Sequence, residues 1–198
     1  MRDIETIKAV FQTHGGIVRT GELSREKIYY ADIQWLLREG YIEKIRTGYY
    51  QWADPSFSEL ATVMGLFPDA VLCMDTALRH YDYSDRTPAA WHLAVSKDAN
   101  KTRFHIDHPF VKPYFMEPKL LGLGVRQEVI DGIRVRIVDK DRAVCDCLRY
   151  RNKMDREIFN KAIQCYIADP EKNIPNLLAY AKALRVSKPV RDLIGVWL

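Results

Sequence analysis

The residues best suited to bind a nucleic acid lie within the first fifty positions, in two short stretches. They are Arg25, Lys27, Tyr29, Tyr30, Gln34 and Arg38 in the first stretch, and Lys44, Arg46, Thr47 and Tyr49 in the second. A glutamine amide can pair with adenine in the major groove, and arginine or lysine suits guanine or phosphate. Both stretches therefore predict DNA contacts. A solvated helix face and a charged hairpin that resists strand pairing are the alternatives.

A second set of basic residues lies in the later part of the chain. It comprises Arg134, Arg136, Arg142 and Arg149. Arg134 and Arg136 alternate with apolar residues, so we expect both on one exposed face of a strand. Such a positive surface can bind RNA or the DNA beside a binding site, and a solvated face is the alternative.

Four aspartates are the only candidates for general acid–base catalysis or magnesium binding. They are Asp75, Asp139, Asp141 and Asp146. Asp146 follows Arg142 by four residues, which favours an ion pair on one helix, and Asp139 or Asp141 suits a helix N-cap. Gly122-Leu-Gly124 lacks the third glycine and the lysine of a phosphate-binding loop. We predict no catalytic residue and no cofactor.

The histidines and cysteines do not form a metal-binding pattern. The candidates are the four histidines after residue 79, His80, His92, His105 and His108, and the cysteines Cys73, Cys145, Cys147 and Cys165. His105-x-x-His108 has no acidic or cysteine partner at a recognised spacing, and Cys145 and Cys147 point to different faces of a helix. We therefore predict no metal site, and we expect the cysteines to be reduced and mostly buried.

Length and composition limit the class of protein. The chain has 198 residues, 47% of them apolar, and a formal net charge of +4, enough apolar sequence for a sizeable core. No segment approaches the roughly 18 uncharged apolar residues of a membrane span, and the N-terminus lacks a signal-peptide pattern. We expect a soluble cytoplasmic protein with no membrane partner. The mild charge alone does not indicate nucleic acid.

The hydrophobic pattern of the first fifty residues predicts a winged helix-turn-helix. A helix begins near Ile4, an extended piece follows at Ile17–Arg19, and Thr20 is placed to cap a second helix. A third helix is predicted from about Tyr30 to Glu39, followed by a hairpin that turns at Gly48. The break at Ala53–Ser56 divides the chain into residues 1–55, a DNA-binding domain, and residues 56–198.

The second domain is predicted to be a larger mixed α+β domain that ends in several helices. Predicted strands are Trp91–Ser96, Val111–Met116, Val125–Ile130 and Ile133–Val138, with Asp131-Gly132 as a hairpin turn. Predicted helices run from Ser56 or Ser58 to Leu66, over 75–81, 139–151 and 155–168, over about 175–184, and after Pro189. The fold class is therefore α+β.

Three motifs together resemble the AbiEi family of type IV toxin–antitoxin antitoxins. The first motif spans the N-terminal domain in three segments. They are Gly16-Ile-Val-Arg-Thr-Gly-Glu-Leu23, Ile33-x-x-Leu36-Leu37-x-x-Gly40-Tyr-Ile42 and Ile45-Arg46-x-Gly48-x-Tyr50. The second is Leu72-Cys-Met-Asp-Thr-Ala-Leu78-x-x-Tyr81, and the third is Asp131-Gly132-Ile133-x-Val135 followed by Asp141-Arg142-Ala-Val-Cys-Asp146. Their order and spacing extend the resemblance over nearly the whole chain.

The resemblance implies a bacterial phage-defence protein with two functions. Its N-terminal domain would repress its own operon at operator DNA with inverted repeats, as a monomer or weak dimer that pairs on DNA. Its C-terminal domain would counter a nucleotidyltransferase-like toxin without a stable complex, which makes Arg134, Arg136, Arg142 and Arg149 a possible antitoxin surface. The alternatives are a metabolite-responsive transcription regulator and a DNA-tethered enzyme that uses aspartates of the second domain.

Overall fold

The computed structural model describes residues 3–54 and 57–195 and divides the chain into two compact units. The N-terminal unit comprises Met1–Asp69 together with His105–Phe110, and the second unit comprises Ala70–Phe104 together with Val111–Leu198. Both units combine helices with a β-sheet, which confirms the predicted α+β class.

The N-terminal unit has the element order predicted for a winged helix-turn-helix. Its helices are α1 (Ile4–Thr13), α2 (Thr20–Arg25), α3 (Tyr30–Arg38) and α4 (Glu59–Leu66), and its strands are β1 (Ile17–Arg19), β2 (Ile42–Arg46) and β3 (Tyr49–Trp52). The strands form an antiparallel sheet in the order β1-β3-β2. Strands β2 and β3 are the wing.

The core of this unit forms where the apolar faces of the helices pack on the apolar face of the sheet. Helix α1 buries Phe11, helix α3 buries Leu36, and β3 buries Trp52. The rings of Phe11 and Trp52 lie 5.4 Å apart between centroids. Full burial of each such side chain contributes about 1.5–3 kcal/mol, so the apolar stripes hold the helices on the sheet.

The predicted N-cap of α2 is wrong by one residue. Arg19 occupies the cap position and Thr20 is the first helical residue. The backbone N–H of Arg19 donates to Glu22 Oε2 at 2.8 Å. The backbone N–H of Thr20 instead donates to the Gly48 carbonyl at 2.9 Å, because β1 pairs with the wing strand β3.

The N-terminal unit extends past the break that the sequence marks at Ala53–Ser56, of which Pro55 and Ser56 lie outside the described residues. Helix α4 packs on β1 so closely that a Cβ on Gly65 would come within 2.3 Å of Ile17 Cγ2. This contact joins α4 to the winged helix, and the compact unit therefore continues to Asp69 rather than ending at residue 55.

The second unit is built on a five-stranded mixed sheet. Its strands are β4 (Val71–Leu72), β5 (Trp91–Ser96), β6 (Val111–Met116), β7 (Val125–Ile130) and β8 (Ile133–Val138), in the order β6-β5-β4-β8-β7. All except β4 have the predicted bounds. Asp131 and Gly132 join β7 to β8 with φ of 50° and 79°, the left-handed backbone that a two-residue hairpin turn requires.

Six helices complete the part of the second unit that the structure describes. They are α5 (Met74–His80), α6 (Pro118–Leu121), α7 (Lys140–Tyr150), α8 (Arg156–Ala168), α9 (Ile174–Leu184) and α10 (Ser187–Leu193), with 3₁₀ turns at Lys101–Phe104 and Arg151–Lys153. Helix α10 begins before Pro189, not after it as predicted, because proline is compatible with a first helical turn. No helix among residues 3–54 and 57–195 has the length and apolarity to cross a membrane.

Candidate nucleic-acid interface

The turn before α3 determines where this helix begins, and its backbone conformation is not evident from the sequence. Lys27 has a left-handed backbone with φ of 56°, and Ile28 is buried behind it. The backbone N–H of Tyr29 donates to Asp32 Oδ2 at 2.9 Å, so the Asp32 carboxylate satisfies a free amide at the helix N-terminus. Helix α3 therefore begins at Tyr30, the predicted residue.

One face of α3 is buried and the opposite face is exposed. Ile33 and Leu36 are buried in the core. Tyr30, Gln34 and Arg38 recur every four residues on the exposed side, and the Tyr30 side chain is 76% exposed. The exposed face presents a phenol, an amide and a guanidinium, the groups that contact phosphates and base edges.

Trp35 belongs to the packing of the unit. Its ring lies 5.6 Å from the ring of Tyr41, and the ring of Tyr41 lies 6.0 Å from that of Trp52. These contacts link α3 to β3 and leave the exposed face of α3 to its polar residues.

The wing places two predicted residues at the surface. Gly48 adopts φ of 78° in the turn, where a side chain would be strained, and Thr47 beside it is exposed. Lys44 is exposed on β2. A register shift between Lys44 and Arg46 turns the end of β2, so these neighbouring basic residues have different surroundings.

Arg46 is half-buried and holds the wing against the rest of its unit. Its guanidinium lies 3.9 Å from the ring centroid of Tyr49 and 5.5 Å from that of Phe67. Its Nη2 donates to the Leu66 carbonyl at the end of α4, at 3.2 Å. The sequence predicts a phosphate contact for Arg46, and these contacts predict that it also positions the wing.

The structure thus gathers the predicted DNA-binding residues into one unit with unequal exposure. Arg25, Lys27, Tyr29, Tyr30, Gln34, Arg38, Lys44 and Thr47 are exposed, and Arg46 and Tyr49 are half-buried. Arg19, which the sequence pattern does not single out, is also exposed in this unit and lies 5.2 Å from the Tyr49 ring centroid. Only the pairing of Arg19 with Tyr49 across β1 and β3 reveals this neighbour.

The predicted basic surface of the second unit is wrong for Arg142. This side chain is 1% exposed, and its Nε donates to Asp146 Oδ2 at 3.0 Å. Its Nη1 also donates to the carbonyls of Leu120 and Leu123. A buried charge needs such partners to offset its lost hydration, so Arg142 is structural and the predicted ion pair is confirmed.

The other members of that set lie at separate places in the second unit. Arg134 and Arg136 are on one face of β8, as the alternation predicts, and Arg134 is exposed. Gln127 and Val129 are their cross-strand partners on β7, and the Val129 side chain is 66% exposed. Arg149 lies near the far end of α7, so it does not extend this strand face.

Capping explains Asp139, and packing explains two of the cysteines. Asp139 Oδ1 accepts the backbone N–H of Arg142 at 2.8 Å, which confirms Asp139 as the N-cap of α7. Cys145 and Cys147 are fully buried, and burial raises the pKa of both thiols. No group of three metal-ligating side chains is found among the described residues.

Asp75, one of the predicted acidic candidates, lies beside His92. Their Oδ2 and Nε2 atoms lie 3.9 Å apart, and the Asp75 backbone N–H donates to His92 Nδ1 at 3.3 Å. Burial, aided by Lys112, lowers the pKa of His92 to about 4. His92 is therefore neutral near pH 7 and accepts a hydrogen bond from the backbone.

Comparison with known families agrees with the winged-helix geometry. Residues 5–52 match the family model AbiEi_4, described as "Transcriptional regulator, AbiEi antitoxin". No curated protein matches the chain. The match covers α1 to β3, the elements that carry the exposed α3 face and the wing. Residues 5–52 are thus similar to this family of transcriptional regulators, as the motifs of the N-terminal region indicate.

Proposed function

We propose that this protein is a DNA-binding transcriptional regulator that represses its own operon. The single observation that carries the proposal is the exposed face of α3 in a winged helix-turn-helix whose residues match a family of transcriptional regulators. The third helix of such a domain enters the major groove, and the wing contacts the adjacent backbone.

In this function the predicted residues divide into two groups. Lys27, Arg38 and Lys44 supply positive charge to phosphates, which sets the position of the protein on DNA. Gln34 lies on the exposed face of α3 and reads a base edge. Two copies occupy an operator with inverted repeats, as monomers or a weak dimer that pair on DNA.

We further propose that the protein is the antitoxin of a type IV toxin–antitoxin system. The described family of the N-terminal region supports this role, together with the motifs of the second unit. The second unit would counter a nucleotidyltransferase-like toxin without a stable complex. Arg134 and Arg136 on β8, and separately Arg149 on α7, are the surface positions proposed to take part.

The regulator function is tested by the affinity of the full-length protein for two fluorescent duplexes. One has the DNA upstream of its own gene, and the other has the same bases in scrambled order. We expect the upstream duplex to bind at least about a thousandfold more tightly at physiological salt. Equal affinity for both duplexes would contradict a sequence-specific regulator.

The Gln34→Ala variant tests the role of α3 in the same assay. Loss of one base contact should reduce the preference for the upstream duplex by about 1–3 kcal/mol and leave binding to the scrambled duplex unchanged. Gln127→Ala is the matched control, because Gln127 is exposed on β7 of the second unit. An equal loss in both variants would show that α3 does not read the sequence.

A further inference from the structure

A cleft of about 490 Å³ lies in the N-terminal unit, formed largely by residues other than the predicted DNA-binding ones. We call it the Thr62 cleft. Its lining includes Glu43 of β2, Trp52 of β3 and Phe57, and Glu59 and Thr62 of α4. Its volume is within the range of small-molecule binding sites in proteins.

The Thr62 cleft is acidic although the chain has a net positive charge. Glu43, Asp54 and Glu59 all line it. Asp54 pairs with Lys8 at 3.6 Å, and Glu59 Oε1 lies 3.8 Å from His108 Nε2. Glu43 forms no ion pair within the described part of the chain. The carboxylates therefore favour a cationic occupant.

Thr62 supplies an independent indication of a polar ligand. The residue is 1% exposed, and its Oγ1 has no hydrogen-bond partner among residues 3–54 and 57–195. A helical threonine can satisfy its hydroxyl on the carbonyl four residues earlier, and Thr62 does not do so. A buried hydroxyl without a partner is unfavourable, so a ligand that donates a hydrogen bond would remove this cost.

The remaining walls suit an alkyl chain. Ile45 and Pro109 contribute aliphatic surface, and Trp52 and Phe57 contribute aromatic rings. Aromatic faces attract ammonium and guanidinium groups, while the aliphatic surface covers methylene groups. The lining combines the features required to bind a cation on an apolar stem.

We infer that the Thr62 cleft binds a small alkyl amine. The ammonium group donates hydrogen bonds to Thr62 Oγ1 and to the carboxylates of Glu43 and Glu59, and its methylene groups lie against Ile45 and Pro109. Amine binding does not depend on whether the protein binds DNA. The cleft is formed in part by both wing strands, β2 and β3, but not by their predicted DNA-binding residues.

The inference is tested by calorimetric titration of the full-length protein, without DNA, with 1,4-diaminobutane. The matched neutral probe is 1,4-butanediol, which has the same length and lacks the charge. Because charge-assisted hydrogen bonds are about twice as strong as neutral ones, we expect the diamine to bind at least about tenfold more tightly. Absence of diamine binding, or equal binding of the diol, would overturn the inference.

Three variants locate the binding site. Glu43→Gln and Thr62→Val should each weaken diamine binding by about tenfold, as expected from the loss of one charge-assisted hydrogen bond. Glu5→Gln is the control, because Glu5 is exposed on α1 outside the cleft. Removal of an unpaired buried hydroxyl leaves folding intact, so Thr62→Val should keep or raise the melting temperature. Unchanged binding in Glu43→Gln and Thr62→Val would place the amine elsewhere.

Discussion

At the scale of single residues, two arginines make contacts inside the protein that their charge alone does not predict. The sequence predicts nucleic-acid contacts for Arg46 and Arg142 from their charge and position. In the structure Arg46 stacks on Tyr49 and bonds the Leu66 carbonyl, and Arg142 is enclosed with Asp146. The sequence shows the charge and spacing of an arginine. Which carbonyl accepts a hydrogen bond from its guanidinium depends on tertiary packing.

The Arg46→Ala variant separates positioning from phosphate contact. Loss of the contacts with Tyr49 and Leu66 should loosen the wing and weaken binding to the upstream duplex without changing its salt dependence. Lys44→Ala should instead reduce the slope of log K against log salt by about 0.9, the value for one phosphate contact. A slope change in Arg46→Ala equal to that in Lys44→Ala would contradict the positioning role.

Removal of Arg142 tests the buried ion pair of the second unit. Arg142→Ala leaves Asp146 and two carbonyls without their partner, so we expect a loss of about 3–5 kcal/mol in the free energy of unfolding. Urea denaturation followed by circular dichroism measures it. The control variant Arg134→Ala removes an exposed arginine and should change stability by less than about 0.5 kcal/mol. Similar small effects in both variants would show that the pair is not structural.

His92 makes the second unit sensitive to acid. Burial and Lys112 lower its pKa from 6.5 to about 4. Below pH 6.5 the unfolded chain takes up this proton before the folded protein does. The free energy of unfolding should therefore fall by up to about 3 kcal/mol between pH 6.5 and pH 4. His92→Gln should flatten the decline in urea titrations across this range. Parallel pH curves for the two proteins would contradict this assignment.

At the scale of elements, the hydrophobic period predicts long elements better than short ones. Strands β5 to β8 have the predicted bounds because alternation and turn residues mark them. Strand β4 has two residues and α6 has four, so neither is long enough to establish a period. The N-cap of α2 differs from the predicted Thr20 because its position depends on Glu22 and on the wing, not on the threonine alone.

The contact between α4 and β1 is tested by Gly65→Ala. The added methyl group would lie 2.3 Å from Ile17 Cγ2, so we expect a loss of about 1–3 kcal/mol in the free energy of unfolding. Gly21→Ala is the control, since a Cβ there meets no atom within 4 Å and α2 should gain up to about 1 kcal/mol. Stabilisation by both substitutions in thermal denaturation would rule out the close contact.

At the scale of the whole molecule, the sequence predicts two compact units but not which residues belong to each. Local turn residues place a boundary at residue 55, whereas α4 and the distant segment His105–Phe110 are compact with the winged helix. Contacts between residues far apart in sequence have no local pattern. The exposed face of α3 could be predicted from periodicity, while the Thr62 cleft combines residues from β2 to Pro109 and could not.

The measurement that tests the central claim most directly is the salt dependence of upstream-duplex binding by full-length variants. The claim is that the surface of α3 and the wing binds the DNA phosphates. The Lys27→Ala, Lys44→Ala double variant should lower the slope of log K against log salt by about 1.8. The Arg134→Ala, Arg149→Ala double variant, with both substitutions exposed in the second unit, should leave the slope unchanged. The opposite result would contradict the claim and place the DNA on the second unit.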